Sequence, residues 1–273
     1  MPEGEISDTR PFLAIPYWMP GDSGEQRPLP GNVLWYMCPS IRTSTYQPGE
    51  ILEVTVEVRN SGGSNTPSLA QVTLWWSNPT LGFVIQPENL IGFRQVAVEP
   101  QGGRATTTVM AKRMPDDAPD HICLLARVSH SLDPAPAVAD PVGDRHWAQR
   151  NLSVVTPKAP GPVTVFFDVA NPLKDAAPFT VRIAPATNPA ALAEADQVVG
   201  EPSTDFAMIM SVDGHASERV LELGVDLEAG ERRTMEAEIT IFDHAPDSFV
   251  ALEFSLLYNE QLMGGLGVVV LSP

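Results

Sequence analysis

The sequence predicts an all-β chain: two tandem immunoglobulin-like antiparallel β-sandwiches behind an extended N-terminal arm. Three observations carry that expectation. The first is the run ILEVTVEVRN, where Leu52, Val54, Val56 and Val58 alternate with Glu53, Thr55, Glu57 and Arg59. Period 2 places one set on a buried sheet face and the other in water. The second is proline, 27 of 273 residues, which fits between short strands and breaks long helices. The third is punctuation: turn-formers such as Gln47-Pro48-Gly49 and Asn60-Ser61-Gly62-Gly63 bound the apolar runs, as in sandwiches.

Residues 1–32 are expected to form the arm, rich in Pro and Gly, with an apolar island from Phe12 to Met19. Such an island packs on its own domain or docks on a neighbouring subunit. Phe12, Ile15, Tyr17, Trp18 and Met19 are its candidate interaction residues. The first sandwich is expected over residues 33–157. After the strand at 51–59 comes Ala70–Trp76, where Val72, Leu74 and Trp76 share a face and Trp76 is the expected core aromatic. Ile91–Val98 and Arg104–Ala111 follow as shorter strands. His121–Val128 is nearly continuous apolar, as a central strand should be, and the segment Asp144–Val155 closes the unit.

Thr156-Pro157-Lys158-Ala159-Pro160-Gly161-Pro162 reads as a short, stiff linker. The second, acidic sandwich is expected over 158–273, with strands at Val163–Val169, Phe179–Ile183, Arg219–Val225, Glu231–Ile241, Phe249–Leu257 and Leu266–Leu271. Asn188-Pro189-Ala190-Ala191-Leu192-Ala193-Glu194 predicts a short N-capped helix with Pro at its first position. In the 231–241 strand, Met235, Ala237, Ile239 and Ile241 alternate with Glu236, Glu238 and Thr240.

The formal net charge is −17, unevenly spread. Residues 161–273 hold 18 Asp+Glu against 5 Lys+Arg, and residues 1–160 hold 16 against 12. This surface repels phosphate backbones, so nucleic acid is not an expected partner. It serves solubility, or it attracts basic partner surfaces or cations. The N-terminus, MPEGEISDTR, has no apolar h-region, so no signal peptide of the usual secretory kind is expected. No apolar run reaches the length of a membrane span. The expectation is a soluble chain, cytoplasmic or exported by another route. Cys38 and Cys123 make one bridge or two free thiols; free thiols are expected.

HExxH, GxSxG, Walker, CxxC and GxGxxG patterns are missing, and no enzyme activity, metal or cofactor is expected. His121 and Cys123 lie two apart and so share a strand face, without an orienting third group. The loop Asp133–Asp144 carries three carboxylates that would suit calcium if they converged, with His130 and His146 at its ends as a possible metal pair. Trp35, Trp75 and Trp147 make either core filler or an aromatic platform for sugars.

YQPGEILEVTVEVRNSGG, VTLWWSNPTLGF, HICLLARVSHSLDP and HWAQRNLSVV together resemble a bacterial immunoglobulin-like module akin to the CARDB adhesion-related domains. LEAGERRTMEAEITIF followed by MGGLGVVV resembles the second sandwich that often trails it; the resemblance covers about residues 30–273. It implies an accessory or spacer role with no catalytic residues. The functional expectation is therefore a non-enzymatic structural or protein-interaction subunit of a larger bacterial assembly. Such a subunit would bind a protein partner or its own copies through sheet edges, loops and the arm. The alternative is a carbohydrate- or cell-surface-binding adhesion module, with Trp75, Trp147 and the Asp133–Asp144 loop as its site.

Overall fold

In a computed structural model of the chain, the described residues are 9–17, 25–30, 33–153, 161–195, 200–203, 205–242, 245 and 247–271. The chain divides into two units, one made of residues 1–77 and 85–152, the other of residues 78–84 and 153–273. The division differs from the expected boundaries in two ways. The described part of the arm belongs to the first unit, and a short piece of the first half of the sequence belongs to the second. Residues 154–160, which hold most of the expected linker, lie outside the described residues.

The first unit is a β-sandwich. Its strands are β1 (Leu13–Ala14), β2 (Ile41–Thr43), β3 (Ile51–Asn60), β4 (Ser68–Ser77), β5 (Leu90–Val98), β6 (Gly103–Thr106), β7 (Met110–Arg113), β8 (His121–Ser129) and β9 (Trp147–Ser153). β3 is the spine of one sheet: β1 and β2 pair with it, as do β6 and β7. The other sheet runs β5-β4-β8-β9. The alternation in β3 does what its period demands. Leu52, Val54, Val56 and Val58 are all within 1% of full burial, each worth about 1.5–3 kcal/mol.

Two expectations are corrected here. The strand expected over 104–111 is two strands, because the chain steps off the ladder at Thr107. There the Thr107 hydroxyl accepts the Val56 N–H at 3.1 Å, and its own N–H reaches Val56 O at 3.0 Å. In β4 the buried tryptophan is Trp75, with Trp76 half-buried. A register shift between Leu74 and Trp75 interrupts the pairing with β5, and Trp75 lies under other side chains.

The second unit is also a sandwich. Its strands are β10 (Val163–Ala170), β11 (Ala177–Pro185), β12 (Glu201–Pro202), β13 (Ala207–Val212), β14 (His215–Ser217), β15 (Leu221–Leu227), β16 (Arg232–Phe242), β17 (Ser248–Tyr258) and β18 (Gln261–Leu271). One sheet runs β10-β16-β13-β14. In the other, β17 pairs with β18, β11 and β12, and β11 with β15. The helix α1 (Pro189–Ala195) starts at a proline as expected. Phe167 and Phe254 meet edge to face in this core, ring centroids 5.2 Å apart.

Residues 78–84 complete the second unit. Thr80 makes a parallel bridge to Asp168 of β10; Leu81 N–H bonds Asp168 O at 2.8 Å, and Asp168 N–H bonds Pro79 O at 2.7 Å. Leu81 is fully buried in the core of this unit. Gly82 has no alternative: a Cβ there would stand 2.4 Å from Ala170 O. On its other side a Cβ on Gly264 of β18 would stand 3.3 Å from Gly82 N. The segment therefore bridges the β10 edge of one sheet and the β18 edge of the other.

Candidate interaction surface

The arm residues expected at an interface are mostly interior to the first unit. Ile15 and Tyr17 are fully buried and Phe12 half-buried; Trp18 and Met19 lie outside the described residues. Tyr17 OH donates to Trp35 O at 2.6 Å and accepts the Gln149 N–H at 3.1 Å. Ile15 N–H bonds Arg145 O at 3.0 Å, and Phe12 N–H bonds Asn60 Oδ1 at 3.0 Å. The hydroxyl of Ser40 donates to Pro16 O. The described arm thus packs into its own sandwich and adds the two-residue strand β1 to it.

Charge fastens it. Asp133 Oδ2 accepts the Leu13 N–H at 2.7 Å, while its Oδ1 accepts Arg145 Nη2 at 2.6 Å and lies 3.1 Å from His146 Nε2. His146 Nδ1 is 2.9 Å from Asp144 Oδ1, and the imidazole is buried at 3% exposure. Burial disfavours the imidazolium, but the nearby Asp133 and Asp144 carboxylates outweigh it and hold the pKa above its ordinary value. Burial likewise opposes ionisation of Asp144, and its bonds from His146 overcome this and lower its pKa. The Arg145 guanidinium stands 3.8 Å from the centroid of the Phe12 ring.

The loop carboxylates are therefore engaged within the protein, with His146 between Asp133 and Asp144. Asp140 accepts the Gly143 N–H at 2.7 Å, Asp133 holds the arm, and Asp144 holds His146. His130 Nδ1 accepts the Leu132 N–H at 3.1 Å. No group of three or more metal-ligating side chains forms among the described residues. The tryptophans do not make a platform either. Trp35, Trp75 and Trp147 are 9%, 8% and 0% exposed. Trp75 and Trp147 tilt together at 6.2 Å, with Arg127 over both rings at 5.3 and 5.6 Å. Trp147 Nε1 donates to Pro136 O at 3.3 Å. Cys38 and Cys123 are free and buried, and burial pushes the Cys38 thiol up to about 12. His121 keeps part of its surface in water, but its Nε2 is shut away and burial pushes the imidazole down to about 4.

What lies open is the outer face of the β10-β16-β13-β14 sheet. Phe166 is 59% exposed and pairs with Glu236. Thr164 pairs with Glu238, which on its other side faces Ser211. Thr240 pairs with Ile209, and Phe242 with Ala207; Ile209 and Phe242 are each 43% exposed. Beyond Phe166, the buried Asp168 accepts Thr234 Oγ1 at 2.7 Å and pairs with Arg232 at 3.4 Å. Glu236 and Glu238 are exposed and make no salt bridge among the described residues. The residues of this face went unassigned as a site at the sequence level. The signal was present: Phe166 breaks the alternation of Val163, Val165 and Phe167, and an apolar ring at an outward position needs a reason.

No family model matches the chain, and no curated protein matches it. Among solved structures, the chain is similar to the C-terminal domain of the Streptococcus pyogenes antigen I/II-family protein AspA. That match has 8% identity, covers 97% of this chain and 99% of that one, and has a TM-score of 0.23. The collagen adhesin of S. aureus matches at 7% identity over 84% of this chain and 90% of that one, TM-score 0.24. Red sea bream transglutaminase matches at 14% identity over 85% of this chain, TM-score 0.23. This chain spans 31% of the transglutaminase length.

Proposed function

We propose that the chain is a non-enzymatic structural and protein-binding subunit of a larger bacterial assembly, its first unit a CARDB-like module. The observation that carries the reading is the open outer face of the β10-β16-β13-β14 sheet. Phe166, Ile209 and Phe242 keep 43–59% of their surface in water on strands whose inward side chains are core. Exposed large apolar side chains grouped on one sheet face mark association surfaces. The arm, tied into its own sandwich, keeps the first unit closed. The buried tryptophans offer a sugar no ring face.

The test is a photo-crosslinking residue placed at Thr240, in the middle of the face, with a second placed at Glu88 in the first unit as control. In the cell of origin, a discrete protein adduct is expected from position 240 and not from position 88. The adduct should disappear in F166S/F242S, a variant whose circular dichroism and unfolding midpoint stay near wild type because both rings are already exposed. No adduct at position 240, or an adduct indifferent to F166S/F242S, would overturn the reading.

A further inference from the structure

The same face specifies the chemistry of its partner, an inference that rests on the interaction reading above. Even-numbered residues of β16 point outward while Met235, Ala237 and Ile239 are buried. Along the face the order is Phe166 with Glu236, then Glu238 beside Thr164 and Ser211, then Thr240 with Ile209, then Phe242. Six residues of strand separate Glu236 from Phe242, about 20 Å at strand rise. The face thus has Phe166 level with Glu236 at one end, Ile209 and Phe242 towards the other, up to about 20 Å away, and Glu238 between them.

A second copy of the same face is a poor occupant. Stacked face to face, Glu236 and Glu238 would meet their own counterparts or acidic neighbours, and like charges brought together in an interface are repelled. The rest of the unit adds to this, with 18 Asp+Glu against 5 Lys+Arg in residues 161–273. Among the described residues, Arg232 is the cation on the face near Phe166, and it pairs with Asp168 at 3.4 Å. A neutral apolar partner would bury two carboxylates without compensation, which costs several kcal/mol. Only a partner that brings positive charge satisfies both the rings and the carboxylates.

We propose that the outer face of the β10-β16-β13-β14 sheet docks a cationic amphipathic segment of another protein. Its apolar side chains seat on Phe166 at one end and on Ile209 and Phe242 at the other, and its Lys or Arg pair with Glu236 beside Phe166 and with Glu238 between the two ends. The first unit also exposes Leu69 and Phe93, at 54% and 58%, on adjacent strands, but Arg127, in the same row as Phe93, is stacked over Trp75 and Trp147 and names no occupant.

The probe is a synthetic peptide of about 14 residues, which spans about 20 Å as a helix, with Leu and Phe at both ends and Lys in the middle. A counterpart carries Glu in place of Lys. Binding to the full-length protein is followed by calorimetry. The Lys peptide is expected to bind and the Glu peptide not to. E236Q/E238Q is expected to weaken binding about three- to tenfold, the range of two exposed ion pairs. F166S/F242S should weaken it further. E88Q/E99Q, which removes the same charge from the first unit, is expected to change binding less than about twofold. Equal weakening by E88Q/E99Q, or equal binding of the Glu peptide, would reduce the effect to general attraction and overturn the proposal. If the Lys peptide fails to bind while the position 240 adduct forms, the partner chemistry is wrong and the interaction reading stands. If both fail, both are wrong.

Discussion

His146 lies within 3.1 Å of two carboxylates, whereas His121 has its Nε2 closed off from water. Protonation of these two residues acts on stability in opposite senses. The folded pKa of His146 is raised, so its contribution is fully present below the unfolded value of about 6.5 and is lost as pH climbs through the raised value. His121 takes its proton at about 4 in the folded chain, so its contribution is present above about 6.5 and fades as pH falls from there towards the folded value. Urea midpoints measured across pH are expected to show both. H146Q should cost more stability in mild acid than in mild alkali. H121Q should flatten the decline below about pH 6.5. A cost of H146Q that is independent of pH would mean that the Asp133 and Asp144 contacts do not hold a cation. Leu81 is a second residue with a large predicted effect. Fully buried in the second unit's core, it should cost about 2–5 kcal/mol when replaced by Ala, read from the unfolding midpoint.

At the scale of elements, the β17–β18 hairpin turns at Asn259-Glu260, with φ of +49° and +63°. Both central residues of such a tight turn take left-handed backbone, a conformation that suits Asn and Gly and strains Glu. E260G is expected to stabilise the protein by roughly 0.5–1 kcal/mol, the relief of strain partly offset by the greater freedom of glycine when unfolded. Thermal melting would check it, and a destabilised variant would show that the Glu260 side chain carries a contact worth more than the strain. Long alternating strands such as β3 and β16 were legible in the sequence because period 2 survives any detail of packing. β13 and β14 were missed although Asp213-Gly214, with φ of +47° and +78°, is a strong hairpin turn. The flanking AMIMSV has no polar residue until Ser211 and so shows no alternation. The arm was legible only as an apolar island. What ties it down is a set of hydrogen bonds to residues 18 to 132 positions away, such as Leu13 N–H to the Asp133 carboxylate, and local pattern does not encode such pairings. Trp75 and Trp147 failed as a surface for the same reason: Arg127 and Trp147, which lie against Trp75, are distant from it in sequence.

At the scale of the whole molecule, the second unit is assembled from two stretches of sequence, 78–84 and 153–273. A fragment beginning at Ser153 lacks Leu81 and leaves the Asp168 N–H and C=O without the partners that Pro79 and Leu81 supply. It is expected to melt below the corresponding transition of the full chain, and a synthetic peptide of residues 78–84 should raise its midpoint progressively with the logarithm of peptide concentration once that exceeds the dissociation constant. A fragment as stable as the intact unit would show the segment to be dispensable. The same arrangement orders events in time. Residues 78–84 leave the ribosome well before β10 exists, so their pairing with Asp168 closes a long loop and belongs to the slow, non-local part of folding. The β17–β18 hairpin needs no such wait. In pulse-labelling hydrogen exchange, the amides of Leu81 and Asp168 are expected to gain protection together, after those of the hairpin.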